Sequence, residues 1–310
     1  MIRKTKIKVI GVGGSGGNAL NRMNKAKIGN IELVALNTDF QDLKKIKADF
    51  KIQIGEKTTR GLGTGMDSSL GRKAALESKE KIEKVLAGSD MVFITCGMGG
   101  GTGTGASPIV AELAKKAGIL TIGIVTTPFS FEGIQRERNA QQGISELKNK
   151  VDSLVVINND NLLAMIDKQT SLLEAFWICD DVLRQAVKGI SELISQRGMV
   201  NVDFADVKTI LKNSGCALFG IGKARGENRV AEAVARAISS PLTETRIEKA
   251  SGVLFNVAGK NLSLFEIKDI ANLIKSKIDS RAKIIFGAKE DGKIVDDSIE
   301  LTLLVTGFNN

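Results

Sequence analysis

Short, almost wholly apolar runs alternate with longer amphipathic stretches through the first half of the chain. Residues 6–10 and 32–36 read as strands, as do the buried-type run Met91-Val92-Phe93-Ile94 and residues 119–125 and 154–157. Between them, residues 18–23 begin a helix after a loop over residues 11–17, and residues 69–86 carry a longer helical pattern. A second loop, residues 97–105, leads into a helix with apolar residues at Ile109, Val110, Leu113 and Ala114. Strand runs of this continuous kind predict a parallel sheet covered by helices on both faces. A long helix is then predicted from about Leu172 to Arg197, ended by Gly198. Beyond it, residues 216–221, 253–257, 284–286 and 301–305 read as strands, and residues 230–238 and 264–278 as helices. The pattern predicts an α/β chain of two domains, with the boundary within or just after the long helix.

Composition narrows the chemistry. The 310 residues are 43% apolar and 25% charged, as in an ordinary globular protein. No apolar run reaches the roughly 18 residues a membrane helix needs. The first residues show no secretory signal, so the chain reads as cytoplasmic. With no His and no Tyr, a Ser-His-Asp triad, a His-ligated zinc and any imidazole base are excluded. Cys96, Cys179 and Cys216 form no C-x-x-C pair and read as small buried hydrophobes. The net charge of +9 is concentrated early, with 13 Lys and Arg against 5 Asp and Glu in residues 1–60. Only 4% of residues are aromatic, too few for base-stacking platforms, so this basic region reads as a solvated face and not a nucleic-acid surface.

Two glycine-rich segments carry the candidate chemistry. Gly11-Val12-Gly13-Gly14-Ser15-Gly16 fits G-x-G-x-x-G between a strand and a helix, where free N–H groups and the helix dipole favour a phosphate. Asp39 ends the next strand, where a dinucleotide fold would place a ribose-binding acid, so a nicotinamide-dependent oxidoreductase is a serious rival. The second segment, Gly99-Gly100-Gly101-Thr102-Gly103-Thr104-Gly105, has the same setting and adds two hydroxyls. Two such loops in one sheet predict two sets of donors converging on one polyphosphate. Gly287-Ala288-Lys289-Glu290-Asp291-Gly292-Lys293 is a near miss for a P-loop, but Ile294 stands where a hydroxyl should hold Mg²⁺. It reads as a hairpin turn between two strands.

The GGGTGTG segment resembles the signature of the tubulin/FtsZ family. So do residues 37–39 (NTD), 127–136 (TPFSFEGIQR), 182–185 (VLRQ), 201–210 (NVDFADVKTI) and 221–229 (IGKARGENR), in family order and over nearly the whole chain. The resemblance implies a tubulin-type GTP-binding domain over residues 1–171 and a central helix and connection over 172–200. A GTPase-activating domain with a mixed sheet would follow over 201–310. It implies that Gly13, Gly14, Ser15, Gly16, Gly17 and Asn18 form one nucleotide loop, and that Gly99, Gly100, Gly101, Thr102, Gly103 and Thr104 form the phosphate loop. Glu132 and Arg136 would contact ribose and phosphate, though at i,i+4 they could simply pair with each other. Asn18, Asn159 and Asp180 would read guanine, with Phe176 against the base. For Phe176, helix core is an equal reading, and for Asp180 an exposed helical charge is the bland one.

The resemblance also implies a division of labour between copies. Asn201, Asp203 and Asp206 would enter the nucleotide site of the next subunit in a head-to-tail filament and orient the attacking water. Asp203 could also cap the helix that follows it. GTP and GDP are then the bound nucleotides, with Mg²⁺ carried by the phosphates and no protein metal ligands. The implied role is a cytoplasmic filament of the division ring that partners itself and membrane adaptors. The adaptor-recruiting C-terminal peptide of the family has no counterpart up to Asn310. A filament protein that binds GTP without hydrolysing it is a further alternative. The chain departs from the family at residues 63–69, which read GTGMDSS where GAGANPE is common. Asp67 is expected to add negative charge near the γ-phosphate. Trp177, Ile178 and Cys179 replace a more polar run before Asp180, and Asn158 and Asn161 replace the usual Pro and Arg or Lys.

Overall fold

A computed structural model describes residues 4–163, 166–167, 169–195, 199–200, 202–239, 247–290, 294 and 297–308. The chain divides into two compact units, Met1–Lys188 and Gly189–Asn310.

The first unit contains six parallel strands: β1 (Ile7–Val12), β2 (Ile31–Asn37), β3 (Phe50–Gln53), β4 (Met91–Gly97), β5 (Leu120–Thr126) and β6 (Ser153–Ile157). Their order is β3-β2-β1-β4-β5-β6. Strands β1 and β5 are buried along their whole length, as continuous apolar sequence requires when helices cover both faces. One core cluster runs from Ile10 and Val34 to Val110 and Leu154. Strand β3, with the sequence FKIQ, is short and half-exposed and was not expected from the pattern.

Three local differences from expectation have plain causes. The segment expected to be a loop over residues 11–17 is instead the end of β1 followed at once by the Gly13–Lys25 helix. Gly16 belongs in that helix because a Cβ there would lie 2.6 Å from the Thr95 carbonyl oxygen, and Gly17 faces Ile46 in the same way. The helix expected over residues 69–86 is two helices, Ser68–Glu77 and Lys79–Leu86. Ser78 interrupts them and is buried, its Oγ accepting from the Gly55 N–H at 2.9 Å. The second glycine segment is likewise helical in its last residues, Thr102–Gly105, which open the Thr102–Lys116 helix.

The helix Leu172–Ser195 runs across the boundary between the units. The second unit contains β7 (Gly215–Arg225), β8 (Gly252–Gly259), β9 (Lys283–Glu290) and β10 (Ser298–Thr306), in the order β7-β10-β8-β9. Strand β10 is antiparallel to β7 and β8, while β8 and β9 are parallel, so the sheet is mixed. This corrects the hairpin expected at residues 287–293: β9 and β10 flank β8 on opposite sides and do not pair. Residues 291–293 lie outside the described residues. The Arg229–Ile238 and Leu264–Lys275 helices pack into a second core around Val253, Phe255, Ile270 and Leu303. Among the described residues no helix is long and apolar enough to cross a membrane.

Candidate functional site

The first unit holds a cleft of about 440 Å³ where the two glycine segments meet. Gly13 has φ 72°, a conformation that favours glycine, and a Cβ there would lie 3.1 Å from the Gly103 nitrogen. The N-termini of the Gly13–Lys25 and Thr102–Lys116 helices thus stand side by side. Neither carries an acidic residue in its first turn. Their unpaired N–H groups and aligned dipoles form a cradle for an anion. Gly13, Gly14, Ser15, Gly100, Gly101, Thr102 and Gly103 all line it.

The Thr102 hydroxyl lies 2.6 Å from Thr38 Oγ1 and 3.3 Å from Thr64 Oγ1, a buried cluster of neutral hydroxyls. Thr64 also lines the cleft, whereas Thr104 does not; its Oγ1 accepts from the Gly99 N–H at 2.9 Å and braces the loop. Gly16, Gly17 and Gly99 likewise lie outside the lining.

The other walls carry two carboxylates, each paired with an arginine; Arg136 lines the cleft and Arg22 lies behind the lining. Arg136 Nη1 donates to Glu132 Oε2 at 2.6 Å, and Glu132 Oε1 also accepts from the Phe129 N–H at 2.9 Å. Both residues line the cleft, so here the ion pair and the site are the same feature. Asp180, buried near the start of the Leu172–Ser195 helix, accepts from Arg22 Nε at 3.3 Å and Nη2 at 3.1 Å. Burial pushes its carboxyl up to about 6, although Arg22 pulls in the opposite direction. Asp180 is therefore not an exposed helical charge. Phe176, one helical turn earlier, is partly exposed at the cleft and meets Phe129 edge to face at 5.4 Å, so it is not helix core. Asn18 and Asn159 complete this wall; Asn159 is buried and its Oδ1 has no hydrogen-bond partner among the described residues. Such an acceptor is open to a donor that enters the cleft, water or ligand.

Cys179 lines the cleft, but burial and the Asp180 charge push its thiol up to about 12, which leaves no thiolate for chemistry. Among the described residues no three acidic, Cys or His side chains cluster as metal ligands. Asp39 is not at the cleft: it caps the Phe40–Lys45 helix, with the Asp42 N–H donating to its Oδ1 at 2.9 Å. The dinucleotide reading loses its ribose acid. Asp67 is also a cap, accepting from the Ser69 and Leu70 N–H groups at 2.7 and 3.2 Å, and these bonds hold its carboxyl below the usual range. It is not itself in the lining, but its carbonyl oxygen lies beside Gly101, which is: a Cβ on Gly101 would stand 2.7 Å from it.

In the second unit, Asp203 occupies the N-cap position of the Phe204–Leu211 helix, yet its side chain makes no cap hydrogen bond. The helix start is closed by backbone, with the Asp206 N–H donating to the Asp203 carbonyl at 3.0 Å. Both aspartates are exposed. Asn201 lies outside the described residues. Sequence reasoning missed Arg22, and it gave no site role to Thr38, Thr64 or Trp177 although it noted the segments that hold them; nothing in the spacing of the chain signals that Arg22 meets a residue 158 positions away.

Known proteins agree with this architecture. The description "Tubulin/FtsZ family, GTPase domain" matches residues 6–167, and "FtsZ family, C-terminal domain" matches residues 215–309. A dimer of FtsZ from M. jannaschii, solved empty, is 46% identical with a TM-score of 0.93, covering 98% of this chain and 89% of that one. The protofilament of CetZ2 from Haloferax volcanii, solved with GTPγS, is 20% identical with a TM-score of 0.84, covering 99% and 94%. The GDP-bound CetZ1 monomer from the same organism is 22% identical with a TM-score of 0.82, covering 99% and 95%. At those lower identities the likeness is one of fold. With half the chain matched by the GTPase-domain description and a 46%-identical relative along almost all of it, the chain belongs to the tubulin/FtsZ family.

Proposed function

We propose that this chain is a self-assembling cytoskeletal GTPase whose hydrolytic site is completed by the next copy in a head-to-tail filament. The observation that carries the reading is one cleft holding two acid-free helix N-termini and a buried, arginine-held carboxylate. The first feature suits a polyphosphate. The second suits guanine, whose N1–H and exocyclic amine are paired donors that adenine lacks; an unmet buried acceptor makes that discrimination steep. Asn159 Oδ1 offers a further acceptor, Asn18 a further amide, and Phe176 a face for the base. Glu132 and Arg136 would contact ribose and phosphate. The Thr38–Thr64–Thr102 hydroxyls lie beside the phosphate cradle. With no protein ligand cluster among the described residues, Mg²⁺ fits as an ion carried by the β- and γ-phosphates, where it would neutralise charge.

Both carboxylates of the cleft are already tied to arginines, Glu132 to Arg136 and Asp180 to Arg22. Each is thereby committed to its arginine. Asp203 and Asp206 are exposed and uncommitted to capping, which leaves them free to serve a neighbour's cleft. In this reading they polarise and orient the attacking water, with Asn201 assisting. Phosphoryl transfer depends mainly on positioning and charge stabilisation, so a site split between two molecules couples hydrolysis to assembly. A heterologous contact that does not close gives a filament. The relative solved as a dimer supports self-association. We further place the filament in the cytoplasm at the division site, linked to the membrane by adaptor proteins.

Sedimentation tests the nucleotide dependence. The protein with Mg²⁺ and GTP should pellet as polymer above a threshold concentration, and with ATP should stay in the supernatant. Polymer formed equally well with ATP, or without nucleotide, would contradict the reading.

A further inference from the structure

Trp177 is the one tryptophan of the chain and stands where the sequence departs from its family. It is half-exposed, three positions before the aspartate that meets the base in the reading above. The Arg22 guanidinium lies over its ring at 5.1 Å to the centroid and also donates twice to Asp180, from Nε and Nη2. Both donors converge on Oδ2; Oδ1 receives no hydrogen bond among the described residues. A planar guanidinium suits this double duty, since it can stack through its face while donating through its edge. The three residues come from two helices, Gly13–Lys25 and Leu172–Ser195.

We propose that Arg22, clamped on Trp177, is the positioning residue for base selection, holding Asp180 as an ionised, correctly turned acceptor for guanine. The inference rests on the proposed guanine reading of Asp180 and deepens it. An ionised carboxylate only accepts hydrogen bonds, through roughly four lone-pair sites, so Arg22 can occupy Oδ2 while the two guanine donors are still served. A protonated carboxyl would instead present a hydroxyl donor to guanine N1–H and lose the match. Burial already pushes Asp180 up to about 6, and Arg22 is what opposes that push. The other charged groups nearby do not supply the same support. Cys179 stays a neutral thiol, Glu132 is negative and paired with Arg136, and Asp181 is negative and paired with Arg184. Without Arg22 the carboxyl would take up a proton near neutral pH, and the guanine-competent fraction would shrink.

The test measures GDP and ADP binding directly between pH 5.5 and 8.5, for the wild type and for Arg22→Ala, Arg22→Lys and Trp177→Ala, by equilibrium dialysis. The two nucleotides share phosphate titration, so their affinity ratio isolates the base. Wild type should prefer GDP, with the preference falling as the pH drops through about 6. In Arg22→Ala that fall should move up in pH. Where the Asp180 pKa lies one unit above the assay pH, the preference should drop about tenfold, in proportion to the ionised fraction. Arg22→Lys should restore the pH profile but only part of the preference. Trp177→Ala should weaken the preference less than Arg22→Ala, and GDP should change Trp177 fluorescence in the wild type where ADP does not.

Equal losses of GDP and ADP binding in Arg22→Ala, with no shift in the pH profile, would mean a purely structural role and overturn the proposal. An unchanged preference would overturn it too. If Arg22→Ala does not fold, as judged by circular dichroism, Arg22→Lys and Trp177→Ala still decide: a wild-type preference and profile in both refutes the clamp. A wild type that binds GDP and ADP alike would instead refute the guanine reading itself.

Discussion

Asp203 stands at a helix N-cap, where its residue type usually earns its place by accepting backbone hydrogen bonds, and its carboxylate accepts none. Asp67 and Ser263 show the usual behaviour at other helix starts, each accepting from an N–H in the first turn. The contrast yields a residue-scale prediction. Asp203→Ala should leave the unfolding free energy from denaturant titration within about 0.5 kcal/mol of wild type, because no cap bond is lost. GTP hydrolysis should nevertheless disappear. A loss near 1 kcal/mol, typical of a removed cap, together with intact hydrolysis would mean that Asp203 serves its own helix. Of the carboxylates of the site, Glu132 was legible inside the 127–136 motif, whereas Asp180 came only from its position in the family resemblance. Their arginine partners were less so: Arg136 follows Glu132 by one helical turn, but Arg22 reaches Asp180 only through the packing of two helices distant in sequence.

At the scale of elements, the glycines divide into two kinds. A Cβ on Gly105 would collide with the Ser68 carbonyl oxygen and crowd the Arg72 nitrogen at 2.7 Å, so this glycine lets the Thr102–Lys116 and Ser68–Glu77 helices touch. Gly71 answers it across the contact, facing the Gly101 carbonyl. Gly100 has open space around it and lines the cleft. Gly105→Ala should therefore destabilise the fold by about 1–3 kcal/mol, as overpacking does. Gly100→Ala should leave stability nearly unchanged. Urea unfolding of the two variants checks this; equal effects would contradict the division of roles. The sequence pattern identified both glycine segments but read them as loops, because low helix propensity says nothing about close packing. Strand β3 escaped notice since four residues with two polar side chains carry little periodic signal. The supposed hairpin at residues 287–293 failed because strand order is a long-range property: β8, thirty or so residues earlier, lies between the two strands.

For the whole molecule, the account ties chemistry to assembly. The nucleotide cleft belongs to the first unit, and the aspartates that would complete it belong to the second. The architecture of each unit was largely legible, because buried parallel strands and amphipathic helices write strong patterns. How one copy packs against another is not written in the pattern of a single chain, because it depends on surfaces that the pattern leaves equally polar. The most direct test is the GTP hydrolysis rate per molecule as protein concentration rises, with Mg²⁺, for the wild type, Asp203→Ala and Asp206→Ala. The account predicts near silence at low concentration, a steep rise once copies associate, and loss of that rise in both variants while GTP binding persists. A rate per molecule that is independent of concentration and indifferent to both aspartates would contradict it.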